Sequence, residues 1–334
     1  MLDRLNELST YLKKYEIDLF ISHMPTPDFS PMVQFLFLKL SGVKVIFEMH
    51  GSLKFFTFQF PHVLQYRLAD ALINLSRART EFLRNLSINA HYIPNPIFIE
   101  DAENFNGRDP EKISNTILWV GRIDFDKNPL AVVPIMKEVV EQIPDAKLKI
   151  LGSEDSPQFC EYLKKLVQLN NLEGNIEFCG YHKNVRAFYE TADVMLNTSP
   201  HEGWSLVIAE SKFYELPSVI YELPDNELTR DGRGFIGVPQ GDSHAAAQAI
   251  IKILTDTKLR CDLSAQARAS LQPFLNYDIG GAWQRIFNDL ENNVPAPSHK
   301  KENEQIQMFL LEEIFTLTQK VMNLTAKIEN TKTR

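Results

Sequence analysis

The sequence predicts an α/β protein of two doubly wound domains, and three observations carry that reading. The chain has 334 residues, which makes two domains of about 150 residues the natural division. Short apolar segments alternate with stretches of helical periodicity, the pattern that builds parallel sheets through crossover helices. Segments such as Ile117-Leu118-Trp119-Val120 carry no polar alternation, as expected of strands whose sheet is covered by helices on both faces.

The elements follow in order. Leu2, Leu5, Leu8 and Leu12 recur at helical spacing and residues 18–22 read as a strand, so the chain opens on a helix feeding a sheet. A helix is expected over 32–40 and a strand over 43–47, running out to His50-Gly51. A strand over 71–74, a helix after Ser76 and a turn at Tyr92-Ile93-Pro94-Asn95-Pro96 complete the first half. The polar, Pro- and Gly-containing stretch 100–116 is the strongest break. It divides the chain into an N-terminal domain over 1–105 and a second domain over 106–275, with a crossover helix over 276–294. In the second domain, strands are expected over 117–120, 147–151, 175–179, 194–197 and 218–221. Asn128-Pro129 reads as an N-cap and a first-turn proline for a helix reaching about Gln142.

After Pro295-Ala296-Pro297, the residues Leu310, Ile314, Leu317, Val321, Leu324 and Ile328 form a heptad seam in a helical tail over 298–334. Two readings stay open for it: an amphipathic helix docked on its own domain, or a coiled coil giving a homo-oligomer or engaging a partner helix through 306–330.

Composition removes several classes of function. The formal charge of −8 offers no broad electrostatic hold on nucleic acid. Cys160, Cys179 and Cys261 are scattered, without the spacing of a zinc site or a disulfide framework, so a reducing cytoplasm is the expected compartment. The first residues lack a basic and apolar leader pattern, and no run approaches the ~18 apolar residues of a membrane span.

In open α/β sheets, ligands bind beyond the carboxyl ends of the strands. Attention therefore falls on Gly121-Arg122, Gly152-Ser153, Gly180-Tyr181, residues 199–202 and Glu222. The most informative segment is His201-Glu202-Gly203-Trp204-Ser205-Leu206-Val207-Ile208-Ala209-Glu210, with Glu202 in a loop and Glu210 about two turns into a helix. Amides around Trp204, Ser205 and Leu206 would open that helix, where free N–H groups and the dipole favour a phosphate. From these residues alone, a capped surface helix with two solvated glutamates is the favoured reading.

The wider context favours the site. Trp119-Val120-Gly121-Arg122-Ile123-Asp124 with Lys127-Asn128, Leu148-Lys149-Ile150-Leu151-Gly152, Ile176-Glu177-Phe178-Cys179-Gly180, Ala192-Asp193-Val194-Met195-Leu196-Asn197, the Glu202/Glu210 segment and Asp231-Gly232-Arg233-Gly234 occur in that order. Together they resemble the retaining glycosyltransferases of family 4, whose GT-B fold sets two Rossmann-like domains face to face. The resemblance implies that Arg122 and Lys127 hold the donor diphosphate, Glu202 contacts the transferred sugar and Glu210 the nucleotide ribose. Gly121, Gly203, Trp204, Ser205 and Leu206 would line the donor site, with Tyr181 and His182 beside the base; for Tyr181, core packing is the other reading. Glu48-Met49-His50-Gly51 resembles the family's strand-end His-Gly and implies that His50 faces the donor sugar as a hydrogen-bond partner. The chain departs from the family pattern at Trp204 and Ser205, where a small residue or Gly is usual, and at Glu215, where a Gly is usual.

The resemblance implies a metal-independent hexosyltransferase without cofactor. Its donor would be a UDP- or GDP-linked sugar and its acceptor a saccharide or lipid-linked glycan, in cell-surface polysaccharide or glycoconjugate synthesis. Asp124-Phe125-Asp126 looks like a metal-binding DxD, but two carboxylates alone make a weak site. Phe55, Phe56, Phe58 and Phe60 read as core, or as an apolar acceptor surface touching the inner membrane face. Relative to the family, the first domain is expected to lack its opening strand and Gly-rich loop, which implies either a fragment of a longer polypeptide or a reduced acceptor domain. A non-catalytic GT-B scaffold, one module of a larger glycosyltransferase and a sugar-nucleotide epimerase are the competing functions.

Overall fold

The structure is a computed structural model and describes residues 2–23, 29–51, 65–100 and 102–292. Phe55, Phe56, Phe58 and Phe60 and the heptad tail lie outside the described residues.

The first sheet contains β1 (Leu19–Ser22), β2 (Lys44–Met49), β3 (Ala71–Asn74) and β4 (Ala90–Tyr92), paired in that order and all parallel. Helices α1 (Leu2–Lys14), α2 (Phe29–Leu40) and α3 (Arg77–Asn85) accompany it. Its core gathers Leu12, Phe35, Leu38, Val45, Phe47, Leu72 and Leu83, each such side chain worth about 1.5–3 kcal/mol when buried. The helix expected after Ser76 forms because the Ser76 hydroxyl accepts the Arg79 N–H at 3.4 Å. Strand β4 precedes the expected turn and shares only Tyr92 with it; at three residues it is too short for its alternation to be read from sequence.

The second sheet contains β5 (Thr116–Val120), β6 (Lys147–Leu151), β7 (Ile176–Gly180), β8 (Val194–Asn197), β9 (Ser218–Tyr221) and β10 (Phe235–Val238). The spatial order β10-β9-β8-β5-β6-β7, all parallel, is that of a dinucleotide-binding fold. Its helices are α4 (Val132–Gln142), α5 (Pro157–Leu169), α6 (Arg186–Thr191), α7 (Leu206–Phe213), α8 (Ser243–Thr255) and α9 (Thr257–Leu275). Strand β10 has no counterpart among the sequence expectations. It is four residues long, contains Gly237 and leaves only Val238 buried, so pairing with β9 rather than any apolar run defines it.

Asn128 corrects the expected cap. It adopts left-handed backbone angles (φ 50°, ψ 50°) and its side chain caps nothing. A short 3-10 turn at Phe125–Lys127 precedes it, capped by Asp124, whose carboxylate accepts the Lys127 N–H at 3.1 Å. A second 3-10 turn, Pro129–Ala131, then leads into α4. Asparagine tolerates the left-handed conformation that closes such a turn.

Arg108 donates to the carbonyls of Ala192, Tyr214 and Tyr189 and so ties the chain before β5 to the second sheet. Three features bind the two halves together. Helix α10 (Ile279–Glu291) returns from the second sheet to cover the first, packing Ala282 and Ile286 on Ile46, Ala71, Ile73 and Ile93. The Tyr277 hydroxyl donates to the Tyr92 carbonyl at 3.0 Å beside it. The buried Glu227, from the loop after β9, accepts the Arg77 N–H at 2.7 Å, a carboxylate placed at the N-terminus of α3. Among the described residues, no helix is long and apolar enough to cross a membrane.

Candidate active site

Strands β5 and β8 are neighbours whose connections leave in opposite directions, which opens a crevice at their carboxyl ends. Three hydrogen bonds build the crevice from the sequence upward. The Trp119 indole N–H donates to the Thr198 hydroxyl at 2.9 Å, and that hydroxyl donates to the Lys127 carbonyl at 3.0 Å. The loop after β5 is thereby pinned to the end of β8, and the Lys127 Nζ reaches the Glu202 Oε1 at 2.6 Å. The two residues are 75 positions apart in sequence.

Gly121 and Gly152 leave β5 and β6 side by side, and a Cβ on Gly152 would overlap the Gly121 carbonyl. Arg122 is half-exposed and neutralised by three carboxylates: Asp124 at 3.2 Å, Asp126 at 3.8 Å and Asp155 at 3.9 Å. Both acids of the Asp124-Phe125-Asp126 motif thus face a guanidinium.

Ser205 caps α7, its hydroxyl accepting the Ile208 N–H at 3.4 Å. The first-turn amides of Leu206 and Val207 have no intrahelical acceptor, and Leu206 lies at the surface. The Trp204 ring turns inward against Phe274, 5.3 Å between centroids, with its indole N–H buried and unpartnered. At Trp204, therefore, the backbone and not the side chain remains available beside the helix start. Gly203 meets the first domain, since a Cβ there would run into the His50 carbonyl.

Glu210 sits just over one turn into α7, not two, because the helix begins only at Leu206. Its carboxylate accepts the Tyr189 hydroxyl at 2.6 Å. Burial raises the Glu210 carboxyl above its ordinary pKa, partly countered by this hydrogen bond, and burial likewise raises the Tyr189 phenol well above its own. Tyr189 is fully buried and stacked on Tyr214 at 5.4 Å. Sequence reasoning missed it: α6 carries no motif, and only an aromatic at a buried helical position marks it.

Tyr181 is 74% exposed, which removes core packing as its explanation. His182 faces the Cys179 carbonyl at 3.0 Å through Nε2 and rests on the Phe188 ring. On the opposite domain, the His50 Nε2 lies 3.4 Å from the Glu48 Oε2. The His23 Nδ1 approaches that same oxygen at 2.5 Å and stands 3.3 Å from the His50 Nε2. Sequence reasoning passed over Glu48 and His23, although the two-residue spacing of Glu48 and His50 on a strand places them on one face.

Two parallel-sheet domains and a returning helix are the architecture of the GT-B glycosyltransferases. Residues 114–256 match the family model described as Glycosyl transferases group 1. One relative is the GalNAc-alpha-(1->4)-GalNAc-alpha-(1->3)-diNAcBac-PP-undecaprenol alpha-1,4-N-acetyl-D-galactosaminyltransferase of Campylobacter jejuni. It is 24% identical over 284 residues, covering 84% of this chain and 77% of the relative. A second, the poly(glycerol-phosphate) alpha-glucosyltransferase of Bacillus subtilis, is 29% identical over 173 residues, which are 51% of this chain but only 25% of that much longer relative. Among solved structures, Anabaena Alr3699/HepE in complex with UDP-glucose superposes with a TM-score of 0.66 at 16% identity, covering 86% of this chain and 82% of that one.

Proposed function

We propose that the chain transfers a hexose from a UDP- or GDP-linked sugar to a saccharide or lipid-linked acceptor, with retention at the anomeric carbon and without a metal. Its setting is the synthesis of a cell-surface polysaccharide or glycoconjugate, in the cytoplasm or against the inner membrane face. The observation that carries the reading is the Lys127–Glu202 contact at the switch point, 2.6 Å, beside the free first turn of α7.

When the bond from the anomeric carbon to the diphosphate breaks, negative charge grows on the departing phosphate oxygens. Arg122, Lys127 and the amides opening α7 supply positive potential at that place, the service a metal renders in other transferases. In the free chain these cations are held by acids: Lys127 by Glu202, Arg122 by Asp124, Asp126 and Asp155. The diphosphate takes over the cations, and Glu202 is released to the sugar hydroxyls. Glu210, held by Tyr189, receives the ribose hydroxyls. Gly121, Gly203 and Ser205 allow or form the close backbone approach, Tyr181 and His182 border the base, and His50 meets the sugar from the other side. In this assignment residues 1–105 form the acceptor side, 106–275 the donor side, and 276–294 the crossover.

The relatives' acceptor chemistry supports the lipid-linked class, since the Campylobacter relative is named for an undecaprenol-diphosphate-linked glycan. The test is release of nucleotide diphosphate from UDP-, GDP-, ADP- and TDP-sugars in the presence of EDTA, with NMR of the product's anomeric configuration. Lys127→Ala and Glu202→Ala serve as controls. Turnover with retention supports the reading; donor binding without turnover for any acceptor favours a scaffold or one module of a larger enzyme.

A further inference from the structure

We propose that His23, Glu48 and His50 form a site for a zinc-class divalent ion on the first domain, and that an ion bound there withdraws His50 from the sugar. The second half of this proposal rests on the reading of His50 above; the first does not.

The site follows from strand geometry. Glu48 and His50 stand two residues apart at the end of β2 and share one face. Strand β1 pairs with β2 in parallel, Ser22 opposite Phe47, so the next residue, His23, arrives beside Glu48. The His23 Nδ1, Glu48 Oε2 and His50 Nε2 converge, the three separations being 2.5, 3.3 and 3.4 Å. Among the described residues this is the one cluster of three or more His, Cys, Asp or Glu ligand atoms gathered closely enough for a metal.

A four-coordinate zinc with bonds of about 2.0–2.1 Å sets its ligand atoms about 3.3 Å apart. Two of the three separations already match that edge. Only the His23–Glu48 pair, which shares a hydrogen bond, has to open. Two imidazole nitrogens and a carboxylate oxygen converge on one point, and a single proton shared by His23 and Glu48 cannot serve all three. A divalent cation can, and two His with one carboxylate is a ligand set that zinc uses while keeping a fourth position for water. The His side chains are 72% and 40% exposed, so the ion has a path in, while Glu48 is largely buried and sits on a strand that fixes its position.

The consequence is inhibitory. The Nε2 that faces Glu48 and His23 is the atom the ion takes, and a metal-bound imidazole no longer offers that nitrogen to a sugar hydroxyl. The carboxylate that orients His50 is drawn into the same coordination shell.

The experiment is calorimetric titration of the full chain with zinc chloride, alongside cobalt(II), whose visible absorption reports tetrahedral coordination. His23→Ala and Glu48→Gln are compared after circular dichroism shows that each melts as the wild type does. The expected result is one ion per chain, weakened at least tenfold in both variants, with zinc slowing donor turnover in the wild type and doing so far less in His23→Ala, each against its own zinc-free rate. Equal zinc affinity in wild type and His23→Ala overturns the site, whatever the turnover. Zinc binding that depends on His23 but leaves turnover unchanged keeps the site and overturns the placement of His50 at the sugar.

Discussion

Gly203 and His50 meet backbone to backbone: the space a Cβ would fill on Gly203 is taken by the carbonyl oxygen of His50. Gly203 lies in the loop after β8 and His50 follows β2, so this contact joins the carboxyl ends of the two sheets at the crevice. Glycine is required here by proximity and not by a left-handed backbone, because Gly203 is absent from the positive-φ positions.

Gly203→Ala is expected to drive the two strand ends apart. A misplacement of about 1 Å is worth on the order of 100-fold in rate, and overpacking costs about 1–3 kcal/mol. Steady-state donor turnover and a urea melt measure the two effects separately.

Lys127→Ala is expected to lower kcat by about 100- to 1000-fold, the range for losing one preorganised electrostatic stabiliser. The substitution also leaves Glu202, whose side chain is only 10% exposed, without its cation, so donor binding should weaken as well. Donor affinity by calorimetry and kcat at saturating donor distinguish the two contributions; unchanged kcat removes Lys127 from the leaving-group role.

Glu210→Gln is expected to raise stability while weakening donor binding. Burial lifts the folded carboxyl's pKa above its unfolded value, so the folded chain holds the proton to higher pH. Stability contributed by this group is therefore present at acid pH and lost as pH rises through the folded pKa. Glutamine carries no charge to desolvate and still accepts the Tyr189 hydroxyl. Thermal melts at pH 4 and 7 should show the variant's advantage growing toward the higher pH, and Tyr189→Phe should raise the KM for donor several-fold by freeing Glu210.

Lys212 offers the opposite sign. Its ammonium is buried in α7, donates to Ser270 Oγ at 2.7 Å and to the Arg233 carbonyl at 3.0 Å, and burial lowers its pKa from 10.5 to about 8. The unfolded chain keeps that proton through the interval in which the folded chain has lost it, so stability rises with pH between the two values. Relative to Lys212→Met, the wild type should gain about 3 kcal/mol between pH 7 and pH 10.5, read from urea midpoints at each pH.

Much of the molecule was legible in the sequence because the information is local. Unbroken apolar runs marked β5, β8 and β9, the Lys147-Leu148-Lys149-Ile150 alternation marked β6, and Ser76 announced α3 through the one hydrogen bond a serine hydroxyl makes at a helix start. The segment from Glu202 to Glu210 could be placed at a strand–helix junction for the same reason. Asn128 was misread because asparagine serves two local purposes, capping a helix or closing a turn in the left-handed region, and the neighbouring Asp124 had already supplied the cap.

The sequence by itself determined the two-domain α/β class, the strand ends where chemistry gathers, and the residue types at those ends. The tertiary structure alone decided which of them meet: Lys127 with Glu202, Tyr189 with Glu210, Gly203 with His50, and His23 with Glu48 and His50. The physical reason is sequence separation. A capping bond or an apolar run spans a few residues and leaves its mark in composition, whereas a contact across 75 residues exists only once the order of parallel strands has brought distant carboxyl ends to one edge.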